Sequence, residues 1–138
     1  NAMKAAVENG NTHYINWLGY LYDEGIGTPQ NFGEALKYFK LGAESGNVVS
    51  MKNLALMYRN QEHTKQAMTL FQQAAEKNEE EAQFYLAQMF YDEGNTEKAL
   101  YWFERSAANN DIDAIEFFAI GFFVKFFSIS YLTTVLFP

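Results

Sequence analysis

Cysteine is absent from the 138-residue chain. That excludes disulfides, thiolate metal sites and a cysteine nucleophile, but it does not fix the compartment. Histidine is scarce: His13 and His63 are the only two, and they fall in different segments with no metal-ligand spacing between them. A metal site would need carboxylates brought to one of them by the fold, so no metal or cofactor site is expected. Basic residues are also short, ten Lys and Arg against seventeen Asp and Glu. The net charge of −7 repels phosphate backbones, so nucleic acid is excluded as a partner. Sustained strand alternation is missing from everything ahead of the C-terminal tail.

Apolar residues make up 49% of the chain, enough to bury a core. Aromatics reach 17%, and large rings at regular spacing suit helix-on-helix packing. The length allows one domain, read as a single helical-repeat unit over 1–138.

The spacing is that of an internal repeat. Trp17-Leu18-Gly19-Tyr20-Leu21-Tyr22 aligns with Asn53-Leu54-Ala55-Leu56-Met57-Tyr58 and with Tyr85-Leu86-Ala87-Gln88-Met89-Phe90. Ala35, Ala67 and Ala99 recur at one constant interval, and each is followed at i+4 by Phe39, Phe71 or Phe103. Ala43, Ala75 and Ala107 follow at i+8. Positions i, i+4 and i+8 share a helix face, so each Ala-Phe-Ala set is a buried stripe with a large ring between two points of close approach. Gly19, Ala55 and Ala87 are small where a partner helix would cross.

Asn31-x-x-Glu34 forms a capping-box pattern, and Gly46-Asn47 and Gly94-Asn95 are helix stops. The spacing predicts helices near 12–24, 32–45, 48–60, 64–77, 80–93 and 96–109, and another from 112. The fold class is therefore all-α, an α/α superhelix of about three repeats (12–47, 48–79 and 80–111) and a partial fourth over 112–138.

The first repeat carries a family hallmark. Leu18-Gly19-x-x-Tyr22-x-x-Gly25-x-Gly27, then Ala35, Phe39 and Ala43-Glu44-Ser45-Gly46, resembles the Sel-one-like branch of the tetratricopeptide-type repeats. The second and third repeats keep the Leu, Ala and Phe positions but lose the G-x-G loop, and Asn78 and Asn110 replace the terminal Gly. The resemblance covers residues 5 to about 122. It implies a right-handed stack of antiparallel helix pairs that serves as a scaffold or adaptor for protein partners, bacterial members included, rather than an enzyme.

Residues 5–11 resemble the end of a preceding repeat's second helix. Asn1-Ala2 ahead of Met3 resembles a scar of tag removal. No secretory signal is visible, which leans towards the cytoplasm, although a signal could have been cut away.

In such stacks the first helix of each pair lines the concave surface. Carrying that pattern over with Leu18, Leu54 and Leu86 as anchors selects His13, Asn16, Tyr20 and Asp23 from the first repeat. It selects Lys52, Leu56 and Arg59 from the second, and Phe84, Gln88 and Tyr91 from the third. Tyr, Phe and Arg are favoured interface residues. Lys52 and Arg59 would place positive charge at the centre, so a protein or peptide partner with acidic groups is expected.

Other motifs have plainer readings. Gly25-Ile26-Gly27 lacks the third Gly and the Lys of a phosphate loop and is expected to be a turn. Glu79-Glu80-Glu81 is expected at a helix N-terminus, where the dipole favours negative charge.

The tail breaks the pattern. Residues 117–137 are apolar and aromatic with Lys125 as their one basic residue. They are expected to form a cap or a homodimer contact. A membrane anchor is one alternative, weakened by a lysine near the middle of the span, and a last repeat thrown out of register is another.

Overall fold

The computed structural model describes residues 2–109 together with Glu116, Ile120 and Gly121. Among these the chain forms seven α-helices and no strand. They are α1 (Ala2–Glu8), α2 (Ile15–Glu24), α3 (Phe32–Glu44), α4 (Val48–Asn60), α5 (Thr64–Glu76), α6 (Glu80–Asp92) and α7 (Thr96–Ala108). A single 3-10 turn, Thr12–Tyr14, leads into α2. The first predicted helix therefore begins as a tighter turn than the spacing suggested.

Side-chain caps set the helix starts. Asn47 Oδ1 accepts from Ser50 N at 2.9 Å, Glu79 Oε2 from Ala82 N at 2.6 Å and Asn95 Oδ1 from Lys98 N at 3.2 Å. At α3 only half of the predicted capping box forms. Asn31 Oδ1 accepts from Glu34 N at 3.1 Å, but the Asn31 amide donates to the Tyr22 carbonyl across the loop. Among the described residues Glu34 Oε2 is left buried without a hydrogen-bond partner.

Helix ends turn through left-handed backbone. Gly46 takes φ 89°, and Asn78, its counterpart in the next repeat, takes φ 68°. Asn tolerates this region better than other side chains, which explains the replacement. Gly94 takes φ 80°; its counterpart in the preceding repeat is Glu62, at φ 61°.

Each helix from α2 to α7 packs against its neighbours in sequence. Short connections make consecutive helices antiparallel, so the fold is an α-solenoid. The Ala-Phe-Ala stripes form its spine. Ala35, Phe39, Ala67, Phe71, Ala75, Ala99 and Phe103 are all buried. Burying each Phe stabilises the stack by about 1.5–3 kcal/mol. Gly19 allows the close approach that its spacing predicted: a Cβ there would stand 2.5 Å from the Phe39 ring.

The predicted fourth repeat and the apolar segment 117–137 lie outside the described residues, apart from Glu116, Ile120 and Gly121. The homodimer and membrane readings rest on that segment. Among the described residues no helix is long and apolar enough to cross a membrane.

Candidate partner-binding surface

The first helices α2, α4 and α6 present nine of the ten candidate residues in three columns, and the tenth, His13, lies in the 3-10 turn ahead of α2. The first column is Asn16, Lys52 and Phe84, and its two polar members join one repeat to the next. Asn16 Oδ1 accepts from Asn53 Nδ2 at 3.0 Å and from Ser50 Oγ at 3.3 Å, tying α2 to α4. Lys52 Nζ lies 3.1 Å from Glu81 Oε2 and 3.5 Å from Glu79 Oε1, tying α4 to the start of α6. Phe84 is half-buried, with its ring 5.8 Å from those of Tyr85 and Phe103. These side chains spend their polar atoms or area inside the stack.

Lys52 departs most from the expectation. It is 8% exposed, so its ammonium does not stand open in a groove. Burial alone would lower its pKa, but Glu79 and Glu81 together hold it above the ordinary lysine value. Burial pushes the Glu79 carboxyl up, against the Ala82 amide and Lys52, which pull it down.

The second column is Tyr20, Leu56 and Gln88. Tyr20 is exposed, Leu56 is half-buried against the main core and Gln88 is half-buried. The third is Asp23, Arg59 and Tyr91. Burial, and then the Glu24 carboxylate, raise the Asp23 carboxyl above its usual value. Arg59 lies over the Tyr85 ring at 4.8 Å. Tyr91 is exposed. His13 is exposed in the 3-10 turn, edge-on to Tyr14 at 5.2 Å.

The anchor pattern misses Trp17. It is 57% exposed and meets Tyr20 edge to face, with centroids 6.2 Å apart. Its repeat counterparts are Asn53 and Tyr85. A position that holds Trp, Asn and Tyr in turn cannot be a shared core position, and that signal is present in the sequence. Together Trp17, Tyr20 and Tyr91 put three exposed rings on the first helices.

A buried polar knot also escapes the pattern. Gln83 is fully buried; its Nε2 donates to the Ala75 carbonyl at 3.1 Å and to Asn78 Oδ1 at 3.3 Å. Asn109 Nδ2 donates to Gln83 Oε1 and Asn78 Oδ1, both at 2.9 Å. The knot satisfies a buried amide and links the α5–α6 turn to the end of α7.

Gly25 and Gly27 take φ 69° and 71° in the turn after α2. Glu79 caps α6, with Glu80 and Glu81 in its first turn. His63 precedes α5, with its ring 6.0 Å from that of Tyr58. Among the described residues no three His, Cys, Asp or Glu side chains gather as a metal cage.

Fold and surface together define an α-solenoid of the kind that presents side chains on stacked helical hairpins. The Sel1 repeat model matches residues 13–47, 48–79 and 80–111, and the chain belongs to the Sel1 repeat family. Proteins of this family generally mediate protein–protein interaction. No curated protein matches the chain. Among solved structures it is similar to c5321, a protective antigen of uropathogenic Escherichia coli strains displaying an SLR fold. The TM-score is 0.79 at 30% identity, over 85% of this chain and 27% of that one. It is also similar to a Sel1 repeat protein from Oxalobacter formigenes, with TM-score 0.69 at 26% identity, over 81% of this chain and 49% of that one. The chain thus spans about a quarter of the first protein and half of the second.

Proposed function

We propose that this chain is a protein-binding scaffold whose partner docks along the first helices α2, α4 and α6. The observation that carries the reading is the exposed Trp17–Tyr20 pair, edge to face on α2. Neither ring belongs to a core cluster. At an interface they offer large contact area for little lost side-chain freedom.

Tyr91 extends the aromatic surface to α6, and Leu56 supplies an apolar position on α4 between them. Asn16 and Lys52 hold the repeats in register beneath it. An acidic group on the partner would meet Arg59, because Lys52 is already paired.

The test is a selection of display-library peptides on the purified chain, with the site mapped by amide chemical shifts. Perturbations clustered on α2, α4 and α6 support the reading. Perturbations confined to the second helices α3, α5 and α7 oppose it.

A further inference from the structure

The second helices leave gaps between them, and the two gaps are not alike. The gap between α5 and α7 has about 400 Å³ of open volume and is narrowed by its own walls. Lys98 lies over the Phe90 ring at 5.3 Å, and Arg105 over the Tyr101 and Trp102 rings at 5.3 and 5.7 Å. One repeat earlier, the gap between α3 and α5 is larger, about 610 Å³. The sequence explains the difference. Thr69 and Leu70 occupy the repeat positions that Tyr101 and Trp102 occupy on α7, and the smaller side chains leave the floor open.

That floor is apolar, built of Leu54, Tyr58 and Leu70, and Lys40 and Lys65 line the gap from α3 and α5. Both lysines are exposed, and among the described residues neither enters an ion pair. Glu44 also borders the gap, which leaves one positive charge in excess. On a chain of net charge −7 this is a local reversal of sign. An apolar floor lined by unpaired ammonium groups complements a segment that carries carboxylates beside large apolar side chains.

We infer that the α3–α5 groove is a second docking site, for an acidic segment of a partner protein. The segment's apolar side chains sit on Leu54, Tyr58 and Leu70, and its carboxylates face Lys40 and Lys65. The site is separate from the first-helix face and does not depend on it.

The experiment is fluorescence anisotropy at low salt with the full chain. The probe is a short fluorescein-labelled peptide with leucines at helical spacing and glutamates between them. Saturable binding is expected, weakening as salt rises. Reversing both charges, Lys40→Glu with Lys65→Glu, should weaken it about tenfold or more. Thr69→Tyr should weaken it similarly by filling the floor, since Tyr101 shows that α7 carries a tyrosine at the matching repeat position. Replacing the peptide's glutamates by glutamines should have an effect like that of the charge reversal. Trp17→Ala with Tyr20→Ala should leave binding unchanged, which keeps this site distinguishable from the first-helix face. Absence of saturable binding overturns the inference, as does binding that survives both the charge reversal and Thr69→Tyr. A dimer in light scattering that Thr69→Tyr abolishes would make the occupant a second copy of the chain and would also overturn it.

Discussion

Lys52 Nζ reaches Glu81 Oε2 at 3.1 Å and Glu79 Oε1 at 3.5 Å, clamping the second repeat to the third. Lys52→Met should destabilise the chain by about 1–3 kcal/mol in urea, because it leaves the largely buried Glu79 carboxyl without its cation. The pH dependence has a definite sign. A lysine whose pKa is raised on folding contributes stability that is fully present below its unfolded value, about 10.4. That contribution is lost as pH rises through the folded value. Wild type should therefore lose more stability than Lys52→Met between about pH 9 and strongly alkaline solution. Equal losses would show that the pair contributes nothing. Glu79 is raised too, so its proton uptake favours the folded state as pH falls through its folded value.

Glu62 occupies left-handed backbone at φ 61° where the third repeat has Gly94. A non-glycine residue there costs roughly 1–2 kcal/mol. Glu62→Gly should raise stability by about 1 kcal/mol, read as a higher melting temperature. A lower one would mean that the Glu62 side chain makes a compensating interaction.

Tyr38 is buried, and among the described residues its hydroxyl has no hydrogen-bond partner. Its ring stacks on Tyr22 at 5.9 Å with nearly parallel planes. Tyr38→Phe keeps the ring and removes the orphan hydroxyl. It should be neutral or stabilise by about 1 kcal/mol in chemical denaturation. A loss of that size would show that the hydroxyl is satisfied in solution.

Most of the fold was legible because the signals were periodic. Ala-Phe-Ala at i, i+4 and i+8, recurring at the same interval through three repeats, can only be the buried stripe of a repeated helix. Stops at Gly46-Asn47 and Gly94-Asn95 placed the helix ends. What escaped was set by contacts between repeats, which periodicity does not encode. Lys52 reads as an open cation in the sequence because its partners, Glu79 and Glu81, lie beyond the whole of α5. The return bond of the capping box fails because the Asn31 amide is taken by Tyr22. Trp17 is passed over because the anchor pattern looks beside it, at Asn16 and Tyr20. The α3–α5 groove depends on two side chains being smaller than their counterparts, and a search for recurring residues does not register that.

The central claim is that the first-helix face binds the partner through Trp17 and Tyr20. The most direct measurement is the dissociation constant of a peptide selected on the wild-type chain, chosen so that Thr69→Tyr does not alter its binding, compared with that for Trp17→Ala combined with Tyr20→Ala. Both residues are exposed, so the melting temperature should hardly change. The predicted result is binding weakened at least about tenfold, as expected when paired aromatic anchors are truncated. Unchanged affinity with the fold intact would contradict the account.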